Sequence, residues 1–315
     1  MDLITICDPA TGAEATVAPG RGMNCFRWTV PTGRGPWDVL WAEPGFESGA
    51  GRPSASGVPL LLPHPGRIDA AQFEFGGKTY QLEPSDAHGN AIHGFVHRRA
   101  WRVVESLPAE VTGEFQLSRD APEDLPRWPS DFRARVRMRI AAGRLTTDIQ
   151  VENAGQADLP FALGTHAYFR VPLESAGSRA DVELFAPADR EWLLDGRMLP
   201  TGELRPLDAD CDLRQGVGLE SRPFDNPFAA APFTEGVSGL RDRRTGRTLS
   251  QRCGEEFTCY VVYTPGHGEA VCIEPCTSVP DPYRLESQGV AVGLRVLAPG
   301  ESFATTIELQ ADPAD

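Results

Sequence analysis

Histidine and glutamate side chains are the candidates for chemistry in this sequence. His93 precedes a glycine, which allows another group to approach the backbone closely. His166 is a polar residue inside the apolar run LGTHAYF, which is expected to form a strand. Glu274 stands at the end of a second apolar run, VCIEP, and is expected to close a buried strand. A carboxylate and an imidazole that meet in a folded protein can accept and donate protons near neutral pH.

Each of these residues also has a purely structural interpretation. A histidine in a strand is more often a hydrogen-bonded structural residue than a catalyst, and this applies to His166. Pro275 can mark the edge of a sheet where Glu274 meets water. If Glu274 is buried and ionised, however, it needs a partner or a catalytic role, because an unpaired buried charge is costly. The residues alone therefore leave acid–base chemistry open.

Composition excludes several classes of protein. The chain has 315 residues, and 30 basic against 44 acidic residues give a net charge of −14. Such an acidic chain is not expected to bind nucleic acid or an anionic membrane, because both need a basic surface. Lys78 is the single lysine and lies in a predicted turn, which argues against Schiff-base and pyridoxal-phosphate chemistry.

The cysteines indicate a reduced, cytoplasmic protein. There are seven of them, an odd number, and they are scattered without a paired framework. Cys272 and Cys276 flank Glu274, but no C-x-x-C spacing supports a zinc site, so we expect neither a metal nor another cofactor. No apolar run of 18 residues and no secretory leader is visible, which predicts a soluble chain.

The elements that must position these residues are strands. Residues 132–151 alternate apolar and polar side chains around Ala-Gly and predict a hairpin with one buried face. Residues 72–82 and 289–309 predict two more hairpins, and 257–263 and 270–273 predict two apolar strands. No segment shows convincing helical periodicity and no linker is visible. We therefore predict one large, all-β, antiparallel domain over residues 1–315.

Several sequence blocks resemble, in the same order, the aldose 1-epimerases, which are the mutarotases of the galactose mutarotase-like superfamily. The blocks are GVPLLLP with GRI, GKTYQL, NAIHGF, GTHAYF, IEPCT and the closing GLRVL with PGE. They span roughly residues 20 to 310. The resemblance implies a large β-sandwich and a cofactor-free cytoplasmic isomerase that binds a sugar and acts as a monomer or homodimer.

The resemblance also implies a role for particular residues. Glu274 matches the general base that takes the proton of the anomeric hydroxyl, and His166 matches the general acid that protonates the ring oxygen. The open-chain aldehyde then rotates and closes again with either face presented. The substrate-binding residues that the resemblance implies are His93, Arg67, Asp225 and Asn90.

The substrate is left open by departures from the family pattern. The HGF tripeptide also resembles hexose-6-phosphate epimerases, and Arg98 and Arg99 follow it as candidate phosphate ligands. We favour a free aldohexose, because the acidic chain disfavours a phosphorylated one. A non-catalytic sugar-binding protein is the alternative from another class, and a glycosidase would need a second carboxylate beside Glu274.

Overall fold

The chain folds into short antiparallel strands joined by turns, as the alternating patterns predict. The computed structural model describes residues 2–208, 211–231 and 236–314. The first strands in chain order are β1 (Ile4–Cys7), β2 (Glu14–Ala18), β3 (Asn24–Thr32), β4 (Gly35–Asp38), β5 (Leu60–Leu61), β6 (Arg67–Ile68), β7 (Gln72–Phe75), β8 (Lys78–Gln81), β9 (Ala91–Ile92), β10 (Arg102–Leu107), β11 (Glu110–Gln116), β12 (Phe132–Ala141) and β13 (Arg144–Asn153).

The second half of the chain continues in the same way. Its strands are β14 (Leu159–Phe161), β15 (Gly164–Thr165), β16 (Ala167–Arg170), β17 (Val182–Phe185), β18 (Ala188–Leu194), β19 (Pro200–Pro206), β20 (Val217–Gly218), β21 (Asp225–Ala230), β22 (Gly236–Asp242), β23 (Thr248–Cys253), β24 (Cys259–Tyr263), β25 (Ala270–Cys276), β26 (Arg295–Leu297) and β27 (Ser302–Asp312). Within the described ranges the α-helices are short, α1 (Leu117–Asp120) and α2 (Pro282–Ser287), and none is long and apolar enough to cross a membrane. Short 3₁₀ turns lie at Pro19–Arg21, Phe46–Ser48, Pro53–Ala55, Asp69–Ala71, Val96–Arg98, Pro122–Arg127 and Arg179–Asp181.

Two large antiparallel sheets dominate the fold. One has nine strands in the order β10-β11-β12-β13-β27-β23-β22-β17-β20. The other has the order β19-β18-β21-β24-β25-β15-β5, and β16 also pairs with β25. Buried side chains of both sheets belong to one continuous core, which contains Val136 and Ile149 of the first sheet and Val271 and Ile273 of the second. The predicted all-β sandwich is confirmed.

The hairpin predicted at residues 132–151 is present as β12 and β13. The apolar residues of its inner face are at most 4% exposed; they are Phe132, Ala134, Val136, Met138 and Ile140. On the opposite face Arg133, Arg137 and Arg139 form ion pairs with acidic residues of neighbouring strands. The arginine row is therefore a solvated strand face.

The predicted hairpin at residues 289–309 is wrong in its pairing, although both strands exist. β26 pairs with β14, whereas β27 lies between β13 and β23 in the nine-stranded sheet. A Pro-Gly turn joins β26 to β27, but the two strands do not pair. The long β27 forms ladder hydrogen bonds along both of its edges with β13 and β23, which the short β26 could not provide. The hairpin at residues 72–82 forms as predicted from β7 and β8.

Candidate active site

His166 and Glu274 meet because of the register between adjacent strands. β16 pairs with β25 so that Ala167 faces Ile273, and this register places His166 opposite Glu274. Directly opposed residues of antiparallel strands project to the same side of the sheet. The His166 Nε2 atom accordingly lies 3.2 Å from Glu274 Oε1.

Glu274 lies inside β25, which continues to Cys276, and not at the end of a strand as the sequence pattern suggested. Its side chain is buried, at 3% exposure. Pro275 faces Tyr260 of β24 within the sheet. The interpretation that Pro275 marks an edge where Glu274 meets water is therefore wrong, because β24 covers that side of the strand.

A second row of opposed residues runs beside the His166–Glu274 pair. Asp225 faces Tyr263, Tyr263 faces Cys272, and Cys272 faces Tyr168 across four neighbouring strands. The rings of Tyr168 and His166 stack with their centroids 4.7 Å apart and their planes 4° from parallel. The two rows form a floor that carries an imidazole, two carboxylates and two phenol rings.

Arg67 and His93 come from chain segments outside the two large sheets. Arg67 of β6 pairs with Ile92 of β9, so His93 directly follows the paired residue. The backbone of His93 is left-handed, with φ of 66°, and so is that of Gly94, with φ of 62°. A Cβ at Gly94 would lie 2.3 Å from the carbonyl oxygen of Leu62, so only glycine fits there.

Hydrogen bonds fix the proton position on His93. The backbone N–H of Gly66 donates to His93 Nδ1 over 3.2 Å, so the neutral ring carries its proton on Nε2 and offers a donor there. His64 braces the same turn from behind. Its Nε2 accepts from the N–H of Gly94 at 3.2 Å, and its Nδ1 therefore donates to the carbonyl of Gly66, also at 3.2 Å.

Asn90 is buried and does not line the cleft. Its amide donates to Asp86 Oδ2 at 3.1 Å and accepts from the N–H of Ala70 at 3.2 Å and from Arg197 Nη2 at 2.9 Å. Asp86 in turn accepts from Arg67 Nε at 3.1 Å. The geometry thus places Asn90 behind the lining of the cleft, where its contacts orient Asp86 and Arg67.

The other five predicted residues line one cleft of about 590 Å³; they are Glu274, His166, His93, Arg67 and Asp225. This volume is in the range of small-molecule sites. The cleft walls are mixed in character, with carboxylates and guanidinium groups between apolar and aromatic side chains.

Two arginines with few partners stand at the rim of the cleft. Arg52 is 77% exposed and lies 3.8 Å from a carboxylate oxygen of Glu43, while Arg98 is exposed on a turn beside it. Arg99 is not among the lining residues, because its guanidinium pairs with Glu123 at 2.7 Å. Of the arginine pair noted in the sequence, only Arg98 reaches the cleft.

Burial controls the protonation of the central pair. It raises the pKa of Glu274 well above its ordinary value, and the charge of Asp225 adds to this effect while Arg67 opposes it. Burial lowers the pKa of His166 to about 3 and that of His93 well below its ordinary value. His166 and Glu274 therefore hold one proton between them over a wide pH range.

Several residues of the site were not predicted from the sequence. His97 is buried in the cleft wall four positions after His93, and that spacing was the available signal. Tyr263 was detectable only once β21, β24 and β25 are known to be neighbours. Among the described residues, no group of three or more His, Cys, Asp and Glu side chains is arranged to hold a metal ion.

Comparison with known proteins identifies the class to which this fold and site belong. The family model for aldose 1-epimerase matches residues 2–310, and the chain belongs to that family. A galactose mutarotase-like protein from Clostridium acetobutylicum has a similar structure, with a TM-score of 0.87 and 25% identity over 96% of this chain and 93% of that one. An aldose epimerase homologue from C. elegans has a TM-score of 0.83 at 20% identity, covering 100% and 99% of the two chains.

Relatives among curated proteins differ in how much of the two chains the match covers. The uncharacterized protein YphB of Escherichia coli is 25% identical over 86% of this chain and 88% of its own length. Human galactose mutarotase is 29% identical over 154 residues, which are 49% of this chain and 44% of the human protein. The match to the human enzyme thus spans less than half of its length.

Proposed function

We propose that the protein is a cofactor-free aldose 1-epimerase that interconverts the α and β anomers of an aldohexose. One observation carries this proposal: His166 and Glu274 face each other across two strands, with Nε2 and Oε1 3.2 Å apart, on the floor of a sugar-sized cleft. Opening a hemiacetal ring requires one group that takes a proton from the anomeric hydroxyl and one that delivers a proton to the ring oxygen. This pair provides both.

Ring opening proceeds by two coupled proton transfers. Glu274 accepts the proton of the O1 hydroxyl, and the electrons of that bond form the C1=O1 double bond. The C1–O5 bond breaks as His166 donates its proton to O5. Rotation about C1–C2 then presents the other face of the aldehyde, and reversal of both transfers closes the ring as the opposite anomer.

The environment of the pair favours the direction of these transfers. Before ring opening the shared proton is on His166, and afterwards it is on Glu274. Burial raises the pKa of Glu274 and lowers that of His166, so the arrangement after opening, in which both groups are uncharged, is the more stable one. In the free protein the shared proton is therefore on Glu274, and its direct transfer to His166 across the 3.2 Å contact produces the arrangement from which ring opening starts.

The remaining polar groups hold the sugar in place. Asp225 is half-buried in the cleft and faces it with a carboxylate that can accept hydrogen bonds from sugar hydroxyls. Arg67 and the Nε2–H of His93 supply donors. The rings of Tyr168 and Tyr263 offer apolar surface for the face of a pyranose.

The direct test is the rate of mutarotation. Freshly dissolved α-glucose and α-galactose are followed by polarimetry or proton NMR with and without the protein, and with the Glu274→Gln variant as the control. Galactose is included because the human relative is named for it. We expect the wild type to accelerate equilibration and the variant to do so far less. If the wild type binds these sugars without accelerating equilibration, the protein is a sugar-binding protein and the proposal is wrong.

A second candidate, a hexose-6-phosphate 1-epimerase, is favoured by the two rim arginines. Arg52 and Arg98 stand on adjacent turns, and together they can hold a phosphate by charge-assisted hydrogen bonds. The test compares kcat/KM for glucose 6-phosphate and glucose at matched ionic strength. A preference above about tenfold that is lost in Arg98→Ala, but kept in the distant control Arg135→Ala, would select this candidate.

A further inference from the structure

A second groove, of about 670 Å³, lies at the end of β16 that is farther from His166. Arg170, the last residue of β16, lines it, together with the β3–β4 hairpin and residues 171–176. His166, Tyr168 and Arg170 occupy every second position of the strand and therefore lie on the same face of the sheet. Arg170 follows His166 by four residues, which at the usual rise per residue is a distance of about 13 Å. A single hexose held at His166 does not span that distance, and the groove is therefore separate from the cleft.

The groove contains one carboxylate that is shared among three arginines. Glu174 accepts from Arg34 Nη1 at 3.2 Å and from Arg244 Nη2 at 2.9 Å, and it lies 3.4 Å from Arg247 Nη2. Glu174 is largely buried, and its single charge cannot neutralise three guanidinium groups. Arg244 also lies 3.8 Å from Asp181 Oδ2, so three arginines against two carboxylates leave the cluster one positive charge within a protein whose total charge is −14.

Two guanidinium groups in the groove have donors without acceptors. Arg247 is 5% exposed; its Nη1 donates to the carbonyl of Leu173 at 2.9 Å and its guanidinium lies 4.7 Å from the ring centre of Trp37. The Nε atoms of Arg247 and Arg170 are both buried and have no hydrogen-bond partner in the described part of the chain. No carboxylate among the described residues lies within ion-pair distance of Arg170.

The other carboxylates in the groove already have donors. Glu269 accepts from Trp41 Nε1 at 2.9 Å, and Asp38 accepts from Thr29 Oγ1 at 2.8 Å. Neither carboxylate forms an ion pair with Arg170 or Arg247, so these two guanidinium groups remain to bind an oxyanion through paired hydrogen bonds. An oxyanion in the groove would give Arg170 the charged partner that it lacks and would share Arg247 with Glu174.

We propose that this groove binds a small oxyanion, a phosphate or a carboxylate group, between Arg170 and Arg247 and in competition with Glu174. Glu174 acts as an internal occupant that an external anion displaces from part of its contacts. The site is independent of the sugar cleft and of the reaction proposed for it.

The test follows the arginine Nε–H signals by NMR while inorganic phosphate or, in a separate titration, acetate replaces chloride at constant ionic strength. We expect saturable shifts of the Arg170 and Arg247 signals at millimolar phosphate or acetate. Comparing the two titrations shows which group the site prefers. A control titration adds sodium chloride alone to the same range of concentration. Shifts of equal size in that control would be screening by salt and would overturn the proposal.

Three variants test the site itself. Arg170→Gln should weaken binding at least tenfold, and Glu174→Gln should tighten it by about tenfold because the internal competitor is gone. Arg135→Gln, which removes an exposed arginine from the outer face of β12, should leave the affinity unchanged. Absence of saturable shifts in both the wild type and Glu174→Gln, or equal affinity in the wild type and Arg170→Gln, would contradict the proposal. The Glu174→Gln result stands even if Arg170→Gln fails to fold.

Discussion

His64 should make the stability of this protein sensitive to acid. It is 1% exposed, bridges Gly66 and Gly94 behind His93, and stacks on Trp128 with ring centroids 6.0 Å apart. Burial lowers its pKa from 6.5 to about 3, although its hydrogen bond to Gly66 opposes the shift. The unfolded chain therefore binds a proton at His64 below pH 6.5, whereas the folded chain does not until the pH falls to about 3.

The sign and size of the effect follow from proton linkage. The contribution of neutral His64 is fully present above pH 6.5 and is lost as the pH falls towards 3. One pH unit corresponds to 1.36 kcal/mol, so at pH 5, which is 1.5 units below the unfolded pKa, the loss is about 2 kcal/mol. Glutamine at this position can donate and accept hydrogen bonds but does not titrate.

The assay is urea unfolding of wild type and His64→Gln at pH 8 and pH 5. We expect the wild type to lose about 2 kcal/mol more than the variant between these two pH values, because the other titrating groups are common to both proteins. His88→Gln replaces an exposed histidine and should follow the wild type. An equal loss in wild type and His64→Gln would refute the assignment of a buried, neutral His64.

Four further results are expected. Glu274→Gln should keep the fold and sugar affinity while lowering kcat by about 10²-fold or more, and near-normal turnover would remove Glu274 from the mechanism. Because His166 and Glu274 share one proton, with the pKa of His166 lowered to about 3 and that of Glu274 raised, kcat/KM should stay flat from about pH 7 to about pH 5 after the spontaneous rate is subtracted; a rise in kcat/KM as the pH falls through about 6.5 would show that the general acid His166 titrates in its ordinary range. Activity should persist in a chelator and in reductant, and a loss reversed by a divalent ion would contradict this. Asn90→Ala should raise KM more than it lowers kcat, since it loosens Asp86 and Arg67; an unchanged KM would show that those contacts do not affect binding.

The strands and hairpins with alternating apolar and polar residues could be predicted from the local sequence. The hairpin of β12 and β13 follows from a period of two over twenty residues joined by a tight turn, and both signals depend only on neighbouring residues. The pairing of β27 could not be predicted in this way. Its partners β13 and β23 are distant in the chain, and the Pro-Gly turn before it gives no information about which sheet edge is free.

The sequence was sufficient to identify Glu274, His166, His93, Arg67 and Asp225 as candidates, because their blocks follow the order of the aldose 1-epimerase family. Their assembly depends on strand register, which is set by long-range pairing and places residues from separate parts of the chain in one cleft.

The tertiary structure also decided which polar residues are accessible to a ligand. The family resemblance implied that Asn90 binds the substrate. In the structure its amide forms hydrogen bonds with Asp86, Ala70 and Arg197 instead of facing the cleft. Of two adjacent arginines, Arg98 faces the cleft while Arg99 is held by an ion pair. Local sequence specifies the chemical group that each residue carries, whereas the packing of distant segments determines which of those groups remains free to bind.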